Sequence, residues 1–314
     1  MKKETIVLAI GGNSLITDPR HVSVPAQYSA AYKTAESLSA LWLSRNHIAI
    51  VHGNGPQVGF ILQRAELARS VLHAVPLDSC VADTQGALGY TIQIALRNVL
   101  RRLGSERPVS TIVTTVLVDP EDPSFRDPEK PVGSFYTEEQ AREFMEKEGW
   151  IMTEDSGRGW RRLVPSPMPR KILELESIRS QIAGGTITIA VGGGGIPVMV
   201  EPGGDIRGIE GVIDKDRAAS LLARELKAHR FIISTAVDRV YLNYGKPDQI
   251  ALDTLTVAQA KVHMTRGQFG RGSMLPKIEA MVDFVEATGN EGLITDPEHL
   301  EAALKGEGGT RILP

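Results

Sequence analysis

Short apolar runs rich in β-branched residues alternate with longer stretches of helical periodicity over residues 1–118. In the longer stretches, apolar residues recur every three to four positions, as they do on the buried face of a helix. This pattern predicts strands at 6–10, 48–51 and 109–118 and helices at 26–45 and 84–103. Because strand and helix alternate, we expect an α/β fold in which helices cover both faces of a mainly parallel sheet.

The pattern is interrupted between residues 119 and 169, where prolines and charged residues replace the apolar periodicity. A stretch of this length without a core pattern is unlike an ordinary loop, and we interpret it as an inserted subdomain or lid. The periodicity then resumes. It predicts helices at 171–183, 216–226, 274–288 and 297–304 and strands at 186–191, 229–234 and 291–294.

Three of the predicted strands run directly into turns rich in glycine and small polar residues. The turns are formed by Gly11, Gly12, Asn13 and Ser14, by Gly53, Asn54 and Gly55, and by Gly192, Gly193, Gly194 and Gly195. Glycine turns let backbone N–H groups point inward around an anion, and Pro56 is placed to begin a helix whose N-terminus attracts negative charge. We therefore predict that the three turns converge on one phosphate-binding site. The alternative is a set of ordinary turns in which Asn13 and Ser14 cap a helix.

Two lysines stand at predicted helix starts that an anion could occupy. Lys215 lies between Asp214 and Asp216, and an acid beside a lysine can orient it toward phosphate oxygens. Lys277 lies in the first turn of the helix that follows Gly272. A lysine there opposes the helix dipole, a cost that an anionic ligand would remove. The alternative for the first cluster is a capping aspartate among solvated charges.

Three other features have weaker signals. The loop 235–247 is rich in turn-forming and aromatic residues, and it either surrounds a flat base or is a surface loop. No acid or nucleophile lies at a sequence spacing from His52 that would indicate a catalytic group, so we interpret His52 as structural. Cys80 has no His or Cys partner at ligand spacing, so we expect a buried thiol and no metal site of protein ligands. The chain also lacks the P-loop sequence and the glycine pattern of dinucleotide-binding folds.

Composition narrows the class of protein further. The formal net charge of −3 at pH 7 offers no basic surface for nucleic acid or an anionic membrane. A single cysteine excludes an internal disulfide and favours the reducing cytoplasm. The first apolar run is too short for a secretion signal, and no apolar stretch reaches the roughly 18 residues of a membrane span. A hydrophobic content of 42% suits one large or two smaller globular domains.

The chain resembles carbamate kinases of the amino acid kinase superfamily in a series of motifs that occur in the same order. The resemblance extends from Ile6 to Thr310. The motifs are AIGGNSL (9–15), HGNGPQVG (52–59), PLDSC (76–80), TQGALGY (84–90), DPSFRDPEKPVGSFY (122–136), EDSGRGWRRLVPSP (154–167), GGGGIPV (192–198), VIDKD (212–216), VYLNYGKP (240–247), GSMLPK (272–277) and GEGGT (306–310). Each motif is weak alone, but their number and order are specific.

The resemblance implies a single amino acid kinase domain over residues 1–314, folded as an open αβα sandwich, with 119–169 as a protruding lid. It also implies a cytoplasmic homodimer that transfers a phosphoryl group reversibly between carbamoyl phosphate with ADP and carbamate with MgATP. The implied direction is ATP synthesis, within arginine metabolism. ATP or ADP would be a substrate, and Mg²⁺ would accompany the nucleotide phosphates.

The resemblance also implies roles for particular residues. The glycine turns would hold the transferred phosphoryl group and carbamate. The catalytic residues would be Lys130, Lys215, Lys277 and Asp216, with Lys130 arriving from the lid. The nucleotide would contact Thr235, Ala236, Val237, Tyr241 and Met274.

Three residues depart from the usual family pattern. Ala236 and Arg239 stand where an aspartate and a glycine are typical, and we expect looser base discrimination from them. Asp83 stands where small or apolar residues are typical, and an unpaired carboxylate near the small substrate would disfavour anionic carbamate. Two alternatives follow, namely a kinase of the same fold that acts on another small carboxylate and a nucleotide-binding paralogue without activity.

Overall fold

The computed structural model of the chain describes residues 3–11, 22–155, 157–270 and 272–314, apart from the side chain of Ser134. Its strands are β1 (Thr5–Ile10), β2 (His47–His52), β3 (Val109–Thr111), β4 (Thr115–Val118), β5 (Lys130–Tyr136), β6 (Ile151–Glu154), β7 (Trp160–Val164), β8 (Pro169–Ile172), β9 (Ile187–Ile189), β10 (Ile196–Val200), β11 (Ile206–Gly208), β12 (Arg230–Ser234), β13 (Val240–Leu242), β14 (Ile250–Leu252), β15 (Thr254–Thr256), β16 (Gly292–Thr295) and β17 (Thr310–Leu313). Its helices are α1 (Val24–Ser37), α2 (Ser39–Leu43), α3 (Gly55–Leu67), α4 (Leu77–Arg102), α5 (Glu138–Glu148), α6 (Leu175–Ala183), α7 (Lys215–Glu225), α8 (Val257–Thr265), α9 (Leu275–Thr288) and α10 (Leu300–Lys305).

Within the described part of the chain, eight strands form the central sheet in the order β15-β17-β16-β12-β1-β2-β9-β3. Neighbouring strands are parallel except β16 and β17. A second sheet has the order β11-β10-β4-β8, a third has the order β5-β7-β6, and β13 pairs with β14. The predicted α/β fold with a mainly parallel central sheet is therefore confirmed.

The side chains of β1 alternate between two cores because consecutive residues of a strand point to opposite faces. Val7 and Ala9 join the core that includes residues of α6, α7 and α9. Ile6, Leu8 and Ile10 join the core that includes residues of α1 and α4. A strand buried on both faces needs an unbroken apolar sequence, which is what β1 has. Helices thus cover the sheet on both sides, as a sandwich requires.

The single strand predicted over 109–118 is wrong, because the chain leaves the central sheet halfway along it. β3 pairs with β9 in the central sheet, whereas β4 pairs with β10 in the second sheet. Between them, the N–H of Thr114 donates to Gln85 Oε1 at 2.7 Å, and the hydroxyl of Thr114 accepts from the N–H of Val191 at 2.9 Å. These side-chain hydrogen bonds hold the chain where it passes from the central sheet to the second sheet. The sequence near Thr114 does not predict them.

Other predicted boundaries shift for local reasons. The helix predicted over 26–45 breaks at Leu38, since the indole of Trp42 donates to the carbonyl of Ala35 at 2.7 Å. The helix predicted to begin at residue 171 begins at Leu175, after β8. Among the described residues, no helix combines the length and apolar character needed to cross a membrane.

Residues 119–169 include α5 and a sheet of their own, β5-β7-β6. The rings of Phe144 and Trp150 stack at 4.4 Å between centroids, and Tyr136 packs edge-on against Phe144. This sheet meets α3 where a Cβ on Gly59 would lie 2.9 Å from the Cα of Gly133. The segment thus carries its own small core and lies close against α3, whose first turn follows Asn54.

Candidate active site

The glycine turns after β1 and β2 lie together at the carboxyl edge of the central sheet. The N–H of Gly11 donates to Ser234 O at 3.1 Å, and the N–H of Gly53 donates to Ile10 O at 3.0 Å. Gly55 begins α3 directly after Asn54. Gly12, Asn13 and Ser14, which were also predicted to form the site, lie outside the described residues.

The third turn, Gly192–Gly195, is packed so tightly that only glycine fits. Gly193, Gly194 and Gly195 have φ values of 67°, 99° and 88°. A Cβ on Gly193 would lie 2.0 Å from Asn54 Nδ2, and one on Gly194 would lie 2.6 Å from Ile213 O. The N–H groups of Gly192 and Gly193 donate to no acceptor within the described part of the chain. The turn therefore contacts the second glycine turn and offers two backbone donors to an anion.

Gln85, to which the motifs alone gave no role, holds the turn Gly192–Gly195 in position through hydrogen bonds. Its side-chain amide donates to Thr114 O at 2.9 Å and to Gly192 O at 3.1 Å, and its Oε1 accepts from Thr114 N. The side chain is buried. The sequence signal that could have identified Gln85 is the polar Thr84-Gln85 pair on the buried face of an amphipathic helix, since buried polar groups need hydrogen-bond partners.

Asp216 lies between two lysines. Its Oδ1 lies 2.6 Å from Lys215 Nζ, and its Oδ2 lies 3.0 Å from Lys277 Nζ. The three side chains are 4%, 12% and 15% exposed. Burial alone would raise the pKa of the Asp216 carboxyl, but the two ammonium groups outweigh it and lower the pKa to about 2. Asp216 is therefore ionised at neutral pH and holds two positive charges side by side.

The helix starts explain how these groups meet. The carboxylate of Asp214 caps α7, accepting from the N–H groups of Asp216 and Arg217 at 2.9 and 3.3 Å. Lys215 is thereby the first residue of α7, and Lys277 lies in the first turn of α9. The guanidinium of Arg217 bonds Glu279 of α9 at 3.0 Å. The two helix N-termini thus lie together, which favours an anion between them.

Lys130, the first residue of β5, completes the group of cations. Its Nζ donates to Ile213 O at 3.0 Å and lies 3.8 Å from Asp214 Oδ2. Burial lowers the pKa of Lys130, and the charge of Asp214 opposes that shift. Because Ile213 O also packs against Gly194, the lysine from residues 119–169 is joined to the glycine turn. The structure therefore brings Lys130, Lys215, Lys277 and Asp216 together.

A cleft of about 670 Å³ opens beside the lysines. Gly11, Lys215 and Lys277 lie at its walls. All five residues predicted to contact the nucleotide line it, namely Thr235, Ala236, Val237, Tyr241 and Met274. The loop 235–247, considered above as a base-binding loop, also contributes Asn243, Tyr244 and Lys246. The motif at 272–277 contributes Gly272 and Ser273, and the segment that no motif singled out contributes Arg266, Gly267, Gln268, Phe269 and Gly270. The cleft thus has cationic groups and aromatic rings in its walls, which suits a nucleotide.

Arg239 does not line the nucleotide cleft, although it belongs to the loop that was expected to contact the nucleotide. It is not among the described non-glycine residues with positive φ, so the backbone here does not use the conformational freedom of the glycine that is typical at this position. Its guanidinium pairs with Asp253 at 3.0 Å, and the residue does not line the cleft. Of the two departures in this loop, only Ala236 faces the nucleotide cleft.

Asp83 and Cys80 lie on α4, and Asp83 is exposed. Burial raises the pKa of the Cys80 thiol to about 11, with smaller contributions from Asp83, Glu210 and Asp78. Cys80 is buried, as expected. Asp83 therefore lies in solvent among other acids, where water screens its charge.

His52 lies beneath the glycine turn. Burial lowers the pKa of its imidazole to about 4, so the ring is neutral at pH 7. Its Nδ1 bonds the carbonyl of Gly53 at 3.1 Å, and a Cβ on Gly192 would lie 2.4 Å from its Nε2. These contacts fit the structural interpretation of His52.

The arrangement suits electrostatic rather than covalent catalysis. The ammonium groups of Lys130 and Lys215 lie close together, Lys277 shares Asp216 with Lys215, and the N–H groups of Gly192 and Gly193 have no acceptor among the described residues. Such donors stabilise charge on a transferring phosphoryl group. In residues 3–11, 22–155, 157–270 and 272–314, no group of three or more His, Cys, Asp or Glu side chains could hold a metal ion.

Comparison with known proteins points to the same chemistry. The model of the amino acid kinase family matches residues 4–296. A carbamate kinase-like protein of Escherichia coli, YahI, is 46% identical over 314 residues, covering 99% of each chain. Carbamate kinase of Clostridium perfringens is 46% identical over 98% of this chain and 99% of its own. The structure of carbamate kinase from Giardia lamblia bound to AMP-PNP superposes with a TM-score of 0.93 at 37% identity, over 99% of this chain and 98% of that one.

Proposed function

Since the chain belongs to the amino acid kinase family and is similar to carbamate kinases over nearly its whole length, we propose that it transfers a phosphoryl group reversibly between carbamoyl phosphate and ADP. The products are carbamate and ATP, and ATP synthesis is the physiological direction. The observation that carries the proposal is the Asp216 carboxylate between Lys215 and Lys277 at the wall of the nucleotide cleft.

In the proposed reaction, a β-phosphate oxygen of ADP attacks the phosphorus of carbamoyl phosphate. The P–O bond to the carbamoyl group breaks, and carbamate leaves with the electron pair. No proton has to move, so the protein's work is alignment and charge stabilisation. Lys215 and Lys277 stabilise the transferring oxygens, Asp216 keeps both ammonium groups in place, and Lys130 adds a third ammonium group from β5.

MgADP and MgATP are the nucleotide substrates in this proposal. The ion would be held by the phosphates and water, because both oxygens of the buried Asp216 already bond lysines. When bound, Mg²⁺ neutralises part of the phosphate charge. The base and ribose lie against Thr235, Ala236, Val237, Tyr241 and Met274 in the cleft. Carbamate and the transferred group lie against the glycine turns.

We further propose that residues 119–169 act as a lid and that the enzyme is a cytoplasmic homodimer, within arginine metabolism. Lys130 supports the lid assignment, since it is the first residue of β5 and reaches Ile213 O. For the dimer, the support is the edge strand β3, beside which Val113 is 54% exposed and Tyr90 is 67% exposed. An unpaired sheet edge with apolar neighbours is a natural place for a second copy.

The decisive assay supplies carbamoyl phosphate and MgADP and follows ATP formation with a coupled reporter. We expect turnover in the usual kinase range, about 1–100 s⁻¹. ADP binding without ATP formation from carbamoyl phosphate would instead favour a kinase of the same fold for another small carboxylate. Binding without turnover on any acyl phosphate would indicate a paralogue without activity. The joint presence of the three lysines and Asp216 argues against that last case.

A further inference from the structure

The side chain of Asn54 is oriented by α4 rather than by the helix it begins. Asn54 precedes α3, where an asparagine normally accepts a hydrogen bond from the first turn, yet its side chain makes no such bond. Instead, its Nδ2 donates to the hydroxyl of Thr84 at 2.7 Å. Asn54 is buried, 3% exposed. Thr84 therefore determines how the Asn54 amide is turned.

The hydrogen bonds of Thr84 fix which end of that amide faces it. The Thr84 hydroxyl lies 2.7 Å from Val81 O, and because a carbonyl can only accept, the hydroxyl proton must go there. Toward Asn54 the hydroxyl oxygen can then only accept, so the amide nitrogen must face Thr84. Asn54 Oδ1 is thereby held at the other end of the amide, and no described residue donates a hydrogen bond to it.

This oxygen is an acceptor in a site built largely of donors. A Cβ on Gly193 would lie 2.6 Å from Asn54 Oδ1, so the oxygen lies against the glycine turn, in which the N–H groups of Gly192 and Gly193 have no acceptor among the described residues. The ammonium groups of Lys130 and Lys215 are further donors beside the turn, and the acceptors near them, Ile213 O and the Asp216 carboxylate, already bond lysines. A phosphoryl group carries acceptors alone and has nothing to offer Oδ1. The amino group of a carbamoyl moiety has two N–H donors.

We propose that Asn54 Oδ1 accepts a hydrogen bond from the amino group of the carbamoyl moiety, and that Thr84 is the positioning residue that keeps Oδ1 turned toward it. The inference rests on the proposed function and adds how the substrate is selected. Acetyl phosphate has a methyl group in place of the amino group and would leave the oxygen without a donor. Sites built to bond a substrate N–H or O–H reject analogues that lack it, since a polar group is left unpaired.

The test is the selectivity ratio, kcat/KM for carbamoyl phosphate divided by kcat/KM for acetyl phosphate, with MgADP as acceptor. In both reactions the ADP oxygen forms the new P–O bond, and the carboxylate or carbamate leaves with the electron pair. Thr84→Val keeps the side-chain shape but removes the acceptor for Asn54 Nδ2. We expect the ratio to fall about 10-fold, the equivalent of one net hydrogen bond, because carbamoyl phosphate turnover falls and acetyl phosphate turnover does not.

Two variants serve as controls. Thr84→Ser retains the hydroxyl and should restore the wild-type ratio. Thr91→Val removes another buried hydroxyl of α4, which bonds only Ala87 O at 2.9 Å, and should leave the ratio unchanged. If acetyl phosphate turns over too slowly in the wild type, its inhibition constant against carbamoyl phosphate supplies the same comparison.

The outcomes separate this inference from the proposed function. Wild-type protein that forms ATP from neither compound contradicts the proposed function itself. An active wild type whose ratio is unchanged in Thr84→Val, or whose two rates fall equally, overturns the selectivity role while leaving the kinase intact. If Thr84→Val does not fold, Asn54→Ala replaces it, and an unchanged ratio there overturns the inference in the same way.

Discussion

The glycine and lysine groups at the sheet edge and the cleft beside them are built in different ways. In the first region, a Cβ on Gly193 or Gly194 would meet Asn54 or Ile213 well inside contact distance, and Asp216 has both oxygens bonded. In the second, Ala236 is exposed in the cleft wall and Tyr244 is 66% exposed. The first region admits almost no change of shape, whereas the second has room for several side chains.

This difference accounts for the position of the three residues that set the chain apart in the sequence analysis. Ala236 lies in the open cleft wall, Arg239 follows it in the same loop outside the cleft, and Asp83 is exposed on α4, so none of them lies in the glycine turn or the lysine–aspartate group. Positions in an open wall can change at small cost, since surface substitutions away from special features shift stability little. The comparison predicts large effects in the first region and small ones in the second.

The largest effect should come from Asp216→Asn, which leaves two partly buried ammonium groups without their anion. Breaking a buried pair from one side costs about 3–5 kcal/mol of unfolding free energy. Asp253→Asn, which removes the exposed partner of Arg239, should cost less than about 1 kcal/mol. Denaturant unfolding of both variants measures the contrast, and equal losses would contradict it.

The lowered pKa of Asp216 also predicts how the thermal stability of the protein depends on pH in acid. Its pKa lies below its ordinary value of 3.8, at about 2, so its stabilising contribution is fully present above pH 3.8 and is lost as pH falls through about 2. The Tm of the wild type should therefore fall more steeply in this window than that of Asp216→Asn. Parallel curves of Tm against pH would show that Asp216 is not held ionised by its lysines.

Lys277→Ala and Lys215→Ala should lower kcat by about 10²–10³, the typical loss of one preorganised donor to a developing charge. Each variant leaves Asp216 paired with the remaining lysine, so both should fold, with Tm values between that of Asp216→Asn and that of Lys261→Ala, a control whose exposed ammonium pairs with Glu286. Wild-type turnover in either variant would remove these lysines from the transition state.

Lys130→Ala should lower kcat by about 10² while the Kd of ADP, measured by calorimetry, changes less than about threefold. The reason is that Lys130 reaches the site from β5 and does not line the nucleotide cleft. Lys147→Ala, a surface position on α5, is the control on the same segment and should have wild-type activity. Equal losses in kcat and ADP affinity would place Lys130 on the nucleotide side.

The smallest effects belong to the nucleotide loop. Ala236→Asp should sharpen the preference for ADP over GDP a few-fold, because a carboxylate in the cleft wall can accept a hydrogen bond from the 6-amino group of adenine, where guanine has a carbonyl oxygen. Arg239→Gly should change neither substrate by more than about twofold, since it loses only a surface ion pair. Steady-state KM values for both nucleotides test this prediction. A larger change in Arg239→Gly than in Ala236→Asp would indicate that Arg239, and not Ala236, faces the nucleotide.

Local patterns were enough to predict the central strands, the glycine turns and most helices, because their causes lie within a few residues. The unbroken apolar run of β1 and the Asp214 cap of α7 are examples. The break between β3 and β4 was missed, since it depends on bonds from Thr114 to Gln85 and Val191, which are distant in sequence. The short strands β14, β15 and β17 were missed because three or four residues carry little periodicity.

In the candidate site, too, some residues could be identified from local sequence signals and others only from contacts between distant segments. Lys215 and Lys277 could be picked out from helix starts, because a lysine at a helix N-terminus is locally unfavourable. Lys130 came only from the family resemblance, since nothing around it in sequence indicates that its ammonium meets Ile213 O. The bonds of Gln85 and Thr84 are tertiary contacts, and their one local sign is polarity on a buried helix face.

A structure of the protein with MgADP bound tests the division of the site most directly. The β-phosphate should lie beside the ammonium groups of Lys215 and Lys277, with adenine in the cleft lined by Ala236, Tyr241 and Met274. The N–H groups of Gly192 and Gly193 should remain free for the group that is transferred. Adenine bound against the glycine turns, or a β-phosphate away from both lysines, would contradict this division of the site.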